Sequence, residues 1–132
     1  MNDLSKSIMG QQGIEPSENC LKIFKITFPD AVNTDWSLRE NHYEAVFYKE
    51  MIEYIAEFSL DGDLMQYKMF LPPDFLPLPI RNKLARKGEL MNAVLINNGH
   101  SIVYECIMRD KELNRFILYI SNLGKILEER NL

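Results

Sequence analysis

His42 and His100, Cys20 and Cys106, and the triplet Asp61-Gly62-Asp63 are the groups whose chemistry could reach beyond packing. An imidazole can act as a general base near neutral pH. The sequence places no nucleophile motif beside either histidine: it has no Gly-x-Ser-x-Gly elbow, phosphate-binding glycine loop or His-Glu-x-x-His helix. His42 follows Asn41 and His100 follows Gly99, so both read as turn residues. A structural zinc ion needs four ligands; the two Cys and two His would all be required, and no two lie at close ligand spacing. Cys20 beside Leu21 and Cys106 beside Ile107 read as buried small hydrophobes rather than a disulfide. Asp61 and Asp63 lack the remaining ligands of a calcium loop and read as a hairpin turn around Gly62. The expectation is therefore no enzyme, no catalytic residue, no metal and no cofactor.

The charge balance excludes further classes. With 132 residues and a net charge of −4, the chain lacks the clustered positive charge of a nucleic-acid binder. Arg81, Lys83, Arg86 and Lys87 form the one basic run, but on a helix Arg81 and Lys83 point apart, and Arg86 and Lys87 complement the negative end of the dipole. They read as a solvated helix face. No apolar run approaches the ~20 residues that span a bilayer. Met1–Gly13 shows no basic start followed by an apolar stretch, which reads as cytoplasmic; a periplasmic location would need a leader.

The elements that would position these groups are legible from spacing. Residues 1–16 are polar and read as a flexible tail. Pro16-Ser17-Glu18 can start a helix in which Leu21, Phe24 and Phe28 form the apolar stripe, with Ile23 and Ile26 broadening it, until Pro29. The period then drops to two. Val32/Thr34/Trp36/Leu38, Tyr43/Ala45/Phe47, Ile52 to Leu60, and Met65/Tyr67/Met69/Leu71 predict four strands. Trp36 and the inward tyrosines read as packing residues. After Pro72-Pro73, a second helix is expected from Pro77 and Pro79 to about Arg86, with Ile80 and Leu84 inward and Gly88 ending it. Leu90–Ile96, Ile102–Met108, Leu113–Ser121 and Lys125–Arg130 follow as strands, with turns at Asn98-Gly99 and Leu123-Gly124.

The same order thus occurs twice. Tyr43-Glu44-Ala45-Val46-Phe47 matches Tyr104-Glu105-Cys106-Ile107-Met108, and Ser59, Gly62 and Leu64 match Ser121, Gly124 and Ile126. The expected fold is α+β: a tandem repeat of one helix plus four antiparallel strands, halves about 17–71 and 72–132. Neither half alone buries enough surface to be robust. Joined side by side in a single domain over 17–132, they would form one curved antiparallel sheet of about eight strands with both helices packed on one face.

The other sheet face is the candidate site. If Tyr43/Ala45/Phe47, Tyr54/Ala56/Phe58 and Ile102/Tyr104/Cys106 meet the helices, the open face carries Glu44, Val46, Tyr48, Glu53, Ile55 and Glu57 in the first half. In the second half it carries Val103, Glu105, Ile107, Arg109, Arg115, Ile117 and Tyr119. Apolar centres ringed by charge are characteristic of protein-binding surfaces. The first half is acidic and the second leans basic, so a contact between copies is among the expectations.

Phe28-Pro29-Asp30-Ala31 with Trp36, then Tyr43-Glu44-Ala45-Val46-Phe47, Phe58 with Asp61-Gly62, Leu78-Pro79-Ile80, and Tyr104-Glu105 follow one another in a distinctive order. Over residues 18–130 the chain resembles the PepSY-like proteins grouped with the β-lactamase-inhibitor-protein-like (BLIP-like) fold, small exported proteins of Bacteroidetes. The resemblance implies tandem helix-plus-four-strand repeats, no catalytic residues, and a non-enzymatic, inhibitor-like role. The second half lacks the Phe-Pro corner of the first. The leading expectation is a module that binds a protein or peptide, a second copy included, through the open sheet face. The alternative is a small-molecule carrier or sensor with its ligand between sheet and helices.

Overall fold

A computed structural model describes residues 11–132, with the backbone alone at Gln11 and Gln12. The expected tail lies outside the described residues over positions 1–10; Gln11–Gln12 forms a two-residue strand, β1, paired with Leu38 and Ser37. Helix α1 spans Glu18–Thr27. The Ser17 hydroxyl caps it, accepting from the Cys20 N–H at 3.2 Å, and Glu18 sits in the first turn at the positive end of the dipole. Four strands follow: β2 Val32–Leu38, β3 His42–Lys49, β4 Ile52–Ser59 and β5 Leu64–Leu71. A 3-10 turn at Pro73–Phe75 leads to helix α2, Leu78–Ala85, and then to β6 Glu89–Asn97, β7 Ile102–Arg109, β8 Arg115–Ser121 and β9 Ile126–Asn131. The chain divides into two compact units between Tyr67 and Lys68, inside β5. Within each unit the strands follow chain order and the registered pairs are antiparallel, so the class is α+β as expected.

In the first unit α1 packs through Cys20 and Phe24, with Phe28 just past its end. Phe24 stands edge-on to Trp36 and to Phe47, with centroids 5.1 Å away in each case, and to Phe58 at 6.3 Å. Such tilted contacts suit the ring quadrupoles. Ala45 and Ala56 are cross-strand partners, fully buried beside Trp36, and their small size leaves the rings their space. The stripe therefore runs Cys20–Phe24–Phe28, at steps of four. Ile26, expected to broaden it, is 72% exposed, because two residues past Phe24 is about 200° around the helix. Val32 departs as well. A bulge between Val32 and Asp35, with Asn33 in the left-handed region (φ 54°), moves Val32 opposite Tyr48 and leaves it 54% exposed.

In the second unit Ile80 and Leu84 of α2 cover Ala93, Tyr104, Cys106, Met108, Leu118 and Ile120. Here too a bulge, between Leu90 and Asn92, interrupts the strand that follows the helix. Gly88 does not end α2 through a left-handed residue; its φ is ordinary. It is needed for space, since a Cβ there would lie 2.6 Å from the Arg109 carbonyl oxygen.

The turns at Ser59–Asp63 and Ser121–Lys125 share one hydrogen-bond set. Ser59 N–H donates to the Asp63 carbonyl (2.8 Å), Gly62 N–H to the Ser59 carbonyl (2.9 Å) and Asp63 N–H to Ser59 Oγ (3.1 Å). Ser121, Lys125 and Gly124 repeat these contacts at 2.8, 2.9 and 3.0 Å. Gly62 and Gly124 hold φ of +102° and +91°.

Candidate protein-binding face

In each unit the helix packs on one side of the strands, and alternation sends the intervening residues to the other. On β3 and β4 these form three cross-strand rows: Glu44 opposite Glu57, Val46 opposite Ile55, and Tyr48 opposite Glu53. Glu44 accepts from the Arg39 guanidinium at 3.5 Å, and Glu57 from the Gln66 amide at 3.0 Å. The Tyr48 hydroxyl, on a side chain 39% exposed, donates to Glu53 Oε2 at 3.0 Å. That hydrogen bond to a carboxylate, reinforced by its charge, raises the phenol pKa above its usual value.

The second unit has its own rows. Glu89, Arg109 and Arg115 lie in register, as do Asn92, Ile107, Ile117 and Arg130, and then Val94, Glu105, Tyr119 and Glu128. Arg109 Nη2 donates to Glu89 Oε2 at 2.7 Å, while its Nε is buried without a hydrogen-bond partner. The Tyr119 hydroxyl donates to Glu105 Oε2 at 2.9 Å and accepts from Arg130 Nη2 at 3.3 Å. Arg130 also pairs through Nε with Glu128 at 3.0 Å, and its guanidinium lies 5.9 Å from the Tyr119 ring centroid. The hydrogen bond to Tyr119, then the Glu128 charge, raise the Arg130 pKa further. Val103 lies one row on, opposite Ser121.

The thirteen expected face residues thus fall on the sides opposite the helices, but not all are accessible. Ile117 is a correction: it is only 8% exposed, in an inner strand between Ile107 and Arg130 in register. His42 is another. It is the first residue of β3, not a turn residue, and its Nε2 lies 4.0 Å from Glu57 Oε1 on this face. Arg130 and Glu128 were overlooked; the alternation of β9 would have found them.

The other chemistry-bearing groups do not converge. His100 sits in an exposed turn organised by Asn98, whose Oδ1 accepts from the His100 and Ser101 N–H groups at 2.9 Å each. Cys20 and Cys106 are free and buried in different units, and burial pushes each thiol up to about 11. The basic run is more engaged than a solvated face: Lys83 Nζ donates to the Gly124 carbonyl at 2.5 Å, Lys87 lies 3.7 Å from Glu129, and Arg81 4.0 Å from Asp74. Among the described residues no three His, Cys, Asp or Glu side chains group to hold a metal, and no helix is long and apolar enough to cross a membrane. Between α1 and β3–β4, Phe24, Phe47 and Phe58 fill the space. Between α1 and β2 an open groove of about 530 Å³ is lined by Leu21, Phe24, Phe28, Thr34 and Trp36. Among the described residues, that groove is where a carried small molecule would find room between sheet and helix.

A helix laid on one side of antiparallel strands, in each unit, defines the class of this fold, and solved proteins share it. A DUF2874 family protein from Bacteroides ovatus superposes with a TM-score of 0.80 at 19% identity, covering 90% of this chain and 89% of that one. A BLIP-like protein from Bacteroides fragilis does so with 0.79 at 17% identity, over 90% and 88%. A protein from Bacteroides eggerthii, described as a candidate periplasmic protein, gives 0.78 at 15% identity over 89% and 90%. No family model and no curated protein matches the chain. At these identities the likeness is one of fold, and it supports the BLIP-like part of the resemblance; the PepSY-like part rests on the sequence motifs.

Proposed function

We propose that this chain is a non-enzymatic, inhibitor-like binding module that holds a protein or peptide partner on the sheet face opposite its helices. One observation carries the reading. The Val46/Ile55 row lies between rows of charged and hydroxyl side chains, with Tyr48 in reach of solvent. That arrangement gives an apolar centre with a polar rim, and Tyr is a frequent anchor of such contacts. The BLIP-like description of one structural neighbour agrees with it. An exported, periplasmic setting belongs to the same proposal, in line with the description of the Bacteroides eggerthii neighbour.

The tandem repeat is part of the proposal too. Duplication of one helix-plus-four-strand unit accounts for bulges at matched places in β2 and β6 and for the shared hydrogen bonds of the Ser59 and Ser121 turns. It also gives two copies of the face, free to diverge in charge.

The test is affinity capture from a native lysate with three baits: wild type, a Tyr48→Ala/Glu53→Lys variant, and Lys22→Glu on α1. A partner retained by wild type and Lys22→Glu but lost with the double variant supports the face. Capture indifferent to the double variant overturns it.

A further inference from the structure

We infer that the partner is a second copy of this chain, with the β3–β4 face of one molecule docked on the β7–β8 face of another; this rests on the binding-face reading above. The inference comes from two unfavourable pairs. Glu44 and Glu57 stand directly opposite across β3 and β4, and Arg109 and Arg115 directly opposite across β7 and β8. Like charges at this separation, about 5 Å between backbones, destabilise a sheet. Glu44 and Glu57 have the local partners Arg39 and Gln66; the arginine pair is relieved incompletely. Arg109 keeps a buried Nε without a hydrogen bond, and Arg115 has no ion-pair partner among the described residues.

Each pair has the opposite sign to the other and the same lateral spacing. The match extends along the strands. Two residues beyond Glu44/Glu57 lies Val46/Ile55, and two residues beyond Arg109/Arg115 lies Ile107/Ile117. One more step gives Tyr48/Glu53 and Glu105/Tyr119. Sheets packed face to face sit about 10 Å apart, within reach of such side chains. Setting the glutamate row on the arginine row lays β3 antiparallel along β7, since β3–β4 and β7–β8 follow the same chain order beneath their helices. Val46 then comes opposite Ile107, and Ile55 opposite the largely buried Ile117. In the third row Tyr48 comes opposite Glu105, and Glu53 opposite Tyr119, a hydroxyl against a carboxylate at both positions. Three rows match in one register, and a slip of one row breaks all of them.

Sedimentation velocity on the full chain tests this. Wild type should gain mass with concentration, and the association should weaken about tenfold when salt rises from about 50 to about 500 mM. Glu44→Arg/Glu57→Arg and Arg109→Glu/Arg115→Glu should each self-associate at least about tenfold more weakly, yet their equimolar mixture should recover wild-type affinity to within about threefold. Should either charge swap unfold the chain, Glu57→Gln and Arg115→Gln serve instead, each weakening association severalfold with an unchanged melting curve. A chain that stays monomeric to about 0.5 mM at low salt, a mixture no better than its components, or neutralised variants that associate like wild type overturn the inference. A monomeric chain whose captured partner still depends on Tyr48 would overturn the second copy while leaving the binding face intact.

Discussion

The Asn19 side chain lies over Gly62, with its Nδ2 donating to the Asp61 carbonyl at 2.7 Å, so that a Cβ on Gly62 would come 2.7 Å from that nitrogen and 3.0 Å from the Cys20 backbone nitrogen. Helix and turn are clamped where the chain can carry no side chain. Gly124 holds the corresponding turn at a similar φ, +91°, but an added Cβ there meets nothing within 4 Å. Gly124→Ala should therefore cost only backbone strain, about 1 kcal/mol. Gly62→Ala should cost roughly 2–3 kcal/mol, because strain and collision add. Denaturant melts of the two variants would measure the clamp as the difference; equal losses would refute it.

The β3–β4 hairpin turns through Glu50 and Met51, both left-handed at φ 51° and 68°, between the paired Lys49 and Ile52. This is a two-residue turn built from residues that resist it, and Met51 is 96% exposed. Replacing Glu50-Met51 by Asn-Gly should stabilise the protein by about 1 kcal/mol without altering the fold. An unchanged or lowered denaturation midpoint would count against the assigned turn.

Ile117 and Tyr48 lie on the same type of face but should respond differently. Ile117→Asp buries a carboxylate among Ile107 and its neighbours, and should cost roughly 3 kcal/mol or more. Tyr48→Ala removes an accessible ring and should change stability by less than about 1 kcal/mol. Thermal melts of both variants decide this, and only the Tyr48 substitution is a clean probe of binding.

The two buried thiols give an alkaline signature. In the unfolded chain each ionises near its ordinary value of 9.0, but in the folded protein near 11. Above pH 9 the unfolded state sheds protons that the folded state keeps, so stability falls as pH rises from about 9 to 11. Each thiol contributes at most roughly 2–3 kcal/mol to this loss. Burial also raises Tyr54 and Tyr104, which steepens the same fall. Denaturant melts between pH 8.5 and 11 should show a shallower decline for Cys20→Ala/Cys106→Ala than for wild type.

The periodic parts of this fold were readable from sequence because period alone decides them. All eight long strands and both α-helices lie where spacing puts them, within a few residues. What escaped depended on backbone geometry that no residue type announces. The Val32–Asp35 bulge reversed the facing of Val32, and the Glu50-Met51 turn contains neither Asn nor Gly. Gly88 reads from sequence as a helix terminator, whereas its need for space comes from Arg109, far away in sequence. The candidate face was legible as an alternation. Its accessibility was not, because Ile117 lies in an inner row between β7 and β9, and the sequence does not state the register of β9.

One strand border in each unit carries a consequence for aggregation. In the second unit β9 presents Glu128, Glu129 and Arg130 in succession, and in the first unit β1 covers only the Ser37–Leu38 end of β2, whose remaining border is kinked by the bulge at Asn33. Charge and kink both discourage an incoming strand from extending the hydrogen-bond ladder. Runaway fibre-like growth is thereby suppressed at each rim, which should keep the chain dispersed at concentrations where a flat, uncharged border would nucleate deposits.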